Sequence, residues 1–331
     1  MHETITPDFK RIPTIMTVNE LIDSAFRVAS KVNIKTNRFE NPTYTIAKVK
    51  LNTVRNYICS KLDSYVRAFP DFNRVHKFYY KLTDALVGVD DLQIALSGLS
   101  WASSNIHSTV EHILSKYRGH KYIPRGQIVN EGYGRIVSFL KRIDKSLRFV
   151  AEARIKLKNC PYINTNIKTI VVAGYPNVGK SSFVKRVSTA KPRIESYPFT
   201  TTGLIVGYFE HNFERFQIID TPGLLDRPFK ERNKIELQTI AAIKYIANLV
   251  IFLIDSTETA YPLENQKHLL QTVKNMFKGK QVIVAETKAD IIKTKSKYIK
   301  ISSVTGENID VLIKTCIENI EKFSDGSSNI R

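Results

Sequence analysis

Residues 174–182 read Gly174, Tyr175, Pro176, Asn177, Val178, Gly179, Lys180, Ser181, Ser182. Two glycines enclose four residues, and a lysine and a hydroxyl follow directly. A loop of that spacing can wrap a phosphate, because its backbone N–H groups and the start of the following helix present positive potential. The lysine then reaches the terminal phosphates and the Ser181 hydroxyl takes a magnesium ion. A chance glycine turn is the bland alternative. The apolar run Thr169–Ala173 before the loop and the helical pattern after it argue against that. The pattern calls for a nucleoside triphosphate without naming the base.

Four later segments narrow the chemistry. Asp220-Thr221-Pro222-Gly223 follows the apolar run Phe216–Ile219. Asp220 can hold Mg²⁺ through water, and the Gly223 N–H can sense a γ-phosphate. Between the two motifs lies Tyr197-Pro198-Phe199-Thr200-Thr201-Thr202, where one of three threonines can complete the Mg²⁺ shell. Thr287-Lys288-Ala289-Asp290 follows Gln281–Ala285. The Asp290 carboxylate can accept from both guanine N–H groups while the Lys288 stem covers the base. Ser302-Ser303 follows Tyr298–Ile301, where a backbone N–H can meet the guanine carbonyl. In order and spacing these segments resemble the five motifs of the GTPase superfamily, and the resemblance implies GTP/GDP with Mg²⁺.

Three positions depart from that pattern. Thr287 stands where Asn is usual, which predicts modestly weaker GTP binding with specificity kept by Asp290. Ser303 replaces a small Ala. Leu224 sits where Ras-like proteins carry a water-orienting Gln, and a leucine cannot polarise water. GTPases that pair a P-loop Asn with an apolar residue after DxxG often bind K⁺, so the resemblance makes Asn177 a candidate K⁺ ligand. The catalytic set expected is then Lys180, Thr201, Gly223 and Asn177, with slow intrinsic hydrolysis raised by K⁺ or a partner.

These residues need elements to place them. From 168 onward short apolar strands (169–173, 204–208, 216–219, 249–254, 281–285, 298–301) alternate with helical stretches (180–190, 232–246, 263–277, 309–323), the pattern of an α/β domain with a mainly parallel sheet. The residues before about 160 are helical throughout. Val18, Leu21, Ile22, Ala25, Phe26, Ala29 and Val32 share one face, with Thr17 and Glu20 forming a capping box. Further helices are expected over 45–68, 91–117 and 135–159, packed as a bundle with short connections. Phe78, Tyr79 and Tyr80 could stack on bases, although core packing is the commoner use; His76 reads as a packing or hydrogen-bonding residue.

Fifty Lys and Arg against 31 Asp and Glu leave the 331-residue chain at +19. Residues 116–158 hold 12 basic and 3 acidic side chains, a density that attracts nucleic-acid phosphates by Coulomb force and counterion release. Lys141, Arg142, Lys145, Arg148 and Arg154 are the candidate phosphate contacts, each more commonly a solvated charge when taken singly. Three scattered cysteines without a CxxC pair argue against a disulfide framework or a zinc site. No apolar run reaches the ~20 residues of a membrane helix, and the N-terminus lacks a signal pattern, so a cytoplasmic location is expected.

The runs YPFTTTGLIVG and DTPGLLDRPFKERNKIELQTIAAIKYIANLV resemble the nucleolar GTP-binding (Nog) family of the Obg-related GTPases. So do TPDFKRIPTIMTVNELIDSAF, DFNRVHKFYYKLTDALVGVDDLQIALSGL and FLKRIDKSLRFVAEARIKLKNCPYIN. The resemblance covers nearly the whole chain and points to a compact archaeal form. It implies an α + α/β fold: an N-terminal antiparallel helical bundle over 1–162, a candidate rRNA-binding domain, followed by an Obg-type P-loop GTPase domain over 168–331. It also selects Thr201 for Mg²⁺, with Thr200 and Thr202 one place away. The function implied is assembly of the large ribosomal subunit, with rRNA and its precursor particle as partners. No membrane or DNA partner is expected, and the protein should be monomeric off the ribosome. A GTP-binding placeholder or protein-partner switch with negligible hydrolysis is the alternative.

Overall fold

The computed structural model describes residues 5–32, 41–124, 126–201, 203–226, 233–257, 261–292 and 295–326. The described residues form two compact units. One lies within Pro7–Asn73 and Leu86–Lys158; the other lies within Met1–Thr6, Arg74–Ala85 and Asn159–Arg331.

The first unit is helical. Helix α1 (Val18–Ser30) starts at the expected capping box: the Thr17 hydroxyl accepts from Glu20 N–H while the Glu20 carboxylate accepts from Thr17 N–H. Helix α2 (Pro42–Ala68) begins three residues before its predicted start. Asn41 caps it through Thr43 and Tyr44 N–H, and Pro42 occupies the first turn, where a missing N–H is harmless. Helix α4 (Val89–Tyr117) packs against α2, and against α5 (Gln127–Arg142) and α6 (Asp144–Leu157). Leu51, Val54, Ile58 and Leu62 of α2 and Leu92, Leu99, Ile106 and Val110 of α4 are fully enclosed.

The single basic helix expected over 135–159 is two helices. At Ile143 the backbone leaves helical geometry, its N–H bonding to Leu140 O three residues back, and α6 restarts at Asp144. Ile136, Leu140, Ile143, Leu147 and Val150 are all buried. Their spacing runs unbroken through the joint, which is why the apolar periodicity does not show it.

The second unit takes in a segment expected in the bundle. Helix α3 (Lys77–Val87), absent from the predicted elements, lies mostly within Arg74–Ala85 and so groups with the C-terminal half. Phe78 and Tyr79 are fully buried, the core role rather than a base-stacking one. The Tyr79 hydroxyl accepts from Ile163 N–H (2.8 Å) and lies within donating distance of Ile163 O (2.9 Å), fastening α3 to the chain entering the sheet. The His76 ring nitrogen Nδ1 accepts from Phe78 N–H at the start of α3.

That sheet has seven strands: β1 (Lys168–Ala173), β2 (Arg193–Glu195), β3 (Leu204–His211), β4 (Glu214–Asp220), β5 (Leu249–Asp255), β6 (Gln281–Thr287) and β7 (Ile299–Lys300). Their order is β2-β3-β4-β1-β5-β6-β7; β3 is antiparallel to β2 and β4, and the other pairs are parallel. The helices are α7 (Lys180–Val187), α8 (Lys234–Ala242), α9 (Leu263–Met276) and α10 (Ile309–Gly326). Each predicted strand is present, most one to three residues longer; the short β2 was not expected. Helix α7 stops three residues before Ala190, and the expected helix start at Arg232 lies outside the described residues. β1 and β5 are buried along nearly their whole length, as central parallel strands require. Among the described residues no helix is long and apolar enough to cross a membrane, and no cluster of His, Cys, Asp or Glu has a metal-holding arrangement.

Candidate functional site

The strand order reverses at β1, whose neighbours are β4 and β5. Parallel α/β sheets place their ligand crevice at the carboxyl ends of the strands beside such a switch point. Register aligns the sequence motifs there: Val172 pairs with Asp220, Ala173 with Phe252, and Asp255 with Thr287.

The loop after β1 carries the phosphate-binding pattern in the conformation it needs. Gly174 has φ 142°, and a Cβ there would stand 2.5 Å from Leu253 O, so only glycine fits. Its N–H donates to Leu225 O at 3.2 Å, which ties the loop to the segment after Gly223. Asn177 adopts φ 64° and is exposed at the loop's outer bend. The Tyr175 ring packs on Tyr261, centroids 4.5 Å apart. Lys180 is 6% exposed, and its Nζ donates to Gly174 O and Tyr175 O, each at 2.8 Å. Burial lowers the Lys180 pKa, opposed by the charges of Asp220 and Asp226.

Ser181 Oγ donates to Asp220 Oδ2 at 2.5 Å. The other carboxylate oxygen, Oδ1, is buried with no hydrogen-bond partner among the described residues. Burial raises the Asp220 pKa, while the Ser181 hydrogen bond and Lys180 work against that shift. A hydroxyl beside a buried carboxylate with an unused oxygen is a donor set that fits Mg²⁺, a hard cation preferring oxygen ligands and keeping waters.

The loop between β2 and β3 presents its threonines unequally. Thr200 Oγ1 donates to Tyr197 O (2.9 Å) and accepts from Gly203 N–H (3.2 Å), so this hydroxyl is spent on its own turn. Thr201 is exposed, and Thr202 lies outside the described residues. Tyr197 is buried, and its hydroxyl donates to Thr239 O of α8 at 2.5 Å. The segment after β4 turns at Gly223 (φ 75°), whose N–H donates to Asp226 Oδ2 at 2.7 Å. Leu224 is fully buried, pointing its apolar side chain into the core.

On the base side, Thr287 Oγ1 donates to Ile254 O (3.2 Å), bridging the ends of β6 and β5. Lys288 adopts φ 59° and its Nζ pairs with Asp255 Oδ2 at 2.6 Å. Burial pushes the Asp255 carboxyl up, but the hydrogen bonds from Lys288 and Thr257 outweigh it and hold the group below its ordinary value. Asp290 is exposed to solvent. Ser302 is buried and its hydroxyl accepts from Val304 and Thr305 N–H, shaping the last loop, while Ser303 is half-buried. Ala289 N–H donates to Ile301 O, which brings the 287–290 and 302–303 loops side by side.

Lys141, Arg142, Lys145 and Arg148 are exposed on α5 and α6, Arg148 paired with Asp144 at 2.8 Å. Arg154 differs: it is half-buried and its Nε donates to Ile12 O at 2.9 Å, so it holds the N-terminal segment onto α6. Sequence reasoning missed Asp226, Asp255 and Tyr197. Asp255 had a signal, being an acid at the carboxyl end of a buried strand beside β1. Asp226 and Tyr197 sit within motif runs, but their partners are set by tertiary turns.

Residues 9–164 match the family model for the NOG1 N-terminal helical domain, and residues 169–288 match that for a 50S ribosome-binding GTPase. An uncharacterised protein of Methanocaldococcus jannaschii is 38% identical over 290 residues, 86% of this chain and 81% of its own. Nucleolar GTP-binding protein 1 of Kluyveromyces lactis is 32% identical over 294 residues, 86% of this chain and 45% of its own, so the chain spans about half the length of that relative. Among solved structures, the G domain of the Thermotoga maritima FeoB iron transporter is 27% identical, covering 48% of this chain and 99% of its own, with a TM-score of 0.39. With a NOG1 N-terminal domain joined to a GTPase domain, and such identity along most of its length, the chain belongs to the nucleolar GTP-binding (Nog) family of GTPases.

Proposed function

We propose that the protein binds and hydrolyses GTP as an assembly factor for the large ribosomal subunit, gripping precursor rRNA through its basic helices and releasing it on a nucleotide cue. One observation carries this reading: the phosphate loop, the Ser181–Asp220 pair and the 287–290 loop lie at the carboxyl ends of β1, β4 and β6, on one edge of the parallel part of the sheet. Backbone N–H groups of residues 174–182 cradle the phosphates, and Lys180 exchanges its two carbonyl partners for phosphate oxygens. Ser181, Asp220 and Thr201 are the residues that would hold Mg²⁺. When bound, the ion would neutralise phosphate charge. Asp290 reads the guanine N–H groups, Lys288 covers the base, and a backbone N–H at Ser302-Ser303 meets the carbonyl.

Leu224, turned into the core, leaves no side chain at its position to orient water. Hydrolysis therefore needs a charge from outside, which K⁺ at Asn177 or a ribosomal particle would supply. Lys141, Arg142, Lys145 and Arg148 offer exposed cations to rRNA; Arg154 is committed to Ile12 and contributes least. The buried Leu224 also favours a second reading, a GTP-bound placeholder that barely hydrolyses.

The test is titration calorimetry with GTP, GDP and ATP in Mg²⁺, followed by co-sedimentation with ribosomal subunits in GDP against a non-hydrolysable GTP analogue. Guanine-selective heat and nucleotide-dependent sedimentation are expected. Equal heat from ATP, or sedimentation indifferent to nucleotide, overturns the proposal. Single-turnover GTP decay with and without K⁺ and large subunits separates the two readings.

A further inference from the structure

The least conventional feature of the pocket is the Asp226 carboxylate. It is 8% exposed, and Oδ2 accepts from Gly223 N–H at 2.7 Å, a charge-assisted hydrogen bond. Its second oxygen, Oδ1, is buried with no partner among the described residues. A buried carboxylate with an idle oxygen is costly unless a cation is near. Lys180 supplies that cation: the Asp226 charge favours the protonated lysine and opposes ionisation of Asp220. Asp226 is thus an anion bonded to the Gly223 N–H and within electrostatic reach of Lys180 and Asp220, the groups that the GTP reading gathers around a terminal phosphate. The chain before it is tethered to the phosphate loop by the Leu225 O contact with Gly174 N–H.

We propose that Asp226 is an internal stand-in for the γ-phosphate: its carboxylate holds the Gly223 N–H until a triphosphate displaces it. A nucleoside diphosphate leaves that N–H to Asp226, whereas a triphosphate brings a second anion to the same donor, and the two cannot share it. Asp226 therefore sets the balance between the two nucleotides and delays rearrangement of the 223–226 segment until a γ-phosphate has arrived. This rests on the reading of the pocket as a GTP site.

The experiment measures affinities of the full chain, with Mg²⁺, for GDP and a non-hydrolysable GTP analogue, comparing wild type with Asp226→Asn and Asp226→Ala. GDP affinity should stay within about twofold, and the analogue should bind about tenfold tighter, the worth of one charge-assisted hydrogen bond. An unchanged analogue-to-GDP ratio in both variants overturns the stand-in role, as does weaker analogue binding, which would mean that the carboxylate serves the triphosphate. Loss of GDP binding in the variants overturns it too, because Asp226 would then belong to the diphosphate pocket. A second readout needs no variant: the Gly223 amide hydrogen should be protected from exchange in the wild-type GDP complex, and rapid exchange there overturns the proposal. Wild-type protein that binds neither nucleotide removes the GTP site itself, an outcome distinct from normal binding with unshifted variants.

Discussion

At the residue scale the pocket makes separable demands. Among the described residues, buried Lys180 has two carbonyl partners and no carboxylate in hydrogen-bond contact, so on the proposed reading its ammonium is free to take a stronger anion. Lys180→Ala is expected to abolish tight binding of GTP, read by calorimetry, while the fold survives. On the proposed reading, Asp290→Asn replaces an acceptor of two guanine N–H groups with a group that can accept only one well. Guanine preference over adenine should fall by the equivalent of about 1.5–3 kcal/mol, the worth of a hydrogen bond to a charged group, and an unchanged GTP-to-ATP affinity ratio sinks the assignment. Gly174→Ala forces a Cβ to 2.5 Å from Leu253 O at φ 142°. A cost of about 1–3 kcal/mol is expected from backbone strain alone, measurable as a lowered unfolding midpoint. The strand, turn and helix that carry the phosphate-loop pattern were legible because they follow one another directly in the chain. Asp226 was not, since its meaning comes from a turn that folds the chain back onto Gly223 and from burial that no spacing encodes.

At the scale of elements, caps and strands were readable and joints were not. Thr17 with Glu20, and the apolar runs of β1 and β5, follow short-range rules and appear where the sequence places them. The break at Ile143 hides because one non-helical residue leaves the apolar phase intact. Helix α3 hides because it joins a unit distant in sequence, and Tyr79 is its fastener. Tyr79→Phe strands the buried Ile163 N–H that the hydroxyl now accepts. Losing that bond should cost about 1–3 kcal/mol, seen as earlier urea unfolding of the C-terminal unit. Between α4 and α5, the Tyr117 hydroxyl donates to Glu131 at 2.9 Å and Lys116 pairs with it at 3.2 Å. Tyr117 first, then Lys116, holds the Glu131 carboxyl below its usual value. The folded pKa is depressed, so the stabilisation is fully present above the unfolded value near about 4.3 and is lost as pH falls through the folded one. Its size is below about 1 kcal/mol for so exposed a pair. Glu131→Gln should flatten that acid limb of the stability profile, and an identical profile in the variant contradicts the assignment.

At the scale of the whole molecule, the charge surplus and the pocket divide the labour. Lys141, Arg142, Lys145 and Arg148 lie exposed on neighbouring helices of the first unit, while the nucleotide motifs belong to the second. If rRNA phosphates are the partner, replacing all four by Ala should lower the slope of log affinity against log salt by about three to four. Filter binding across a salt series reads it, and an unaltered slope places the RNA elsewhere. Arg154→Ala should instead loosen the N-terminal segment with little change in that slope. The buried Tyr197 hydroxyl has a larger consequence. By bonding to the Thr239 carbonyl it rivets the threonine loop to α8, the helix following the Gly223 turn. On the proposed reading, in which both stretches answer to one phosphate, this bond links the threonine loop directly to α8. A partner touching both would then meet two surfaces joined by a common rivet, and Tyr197→Phe would be the change that lets them move apart.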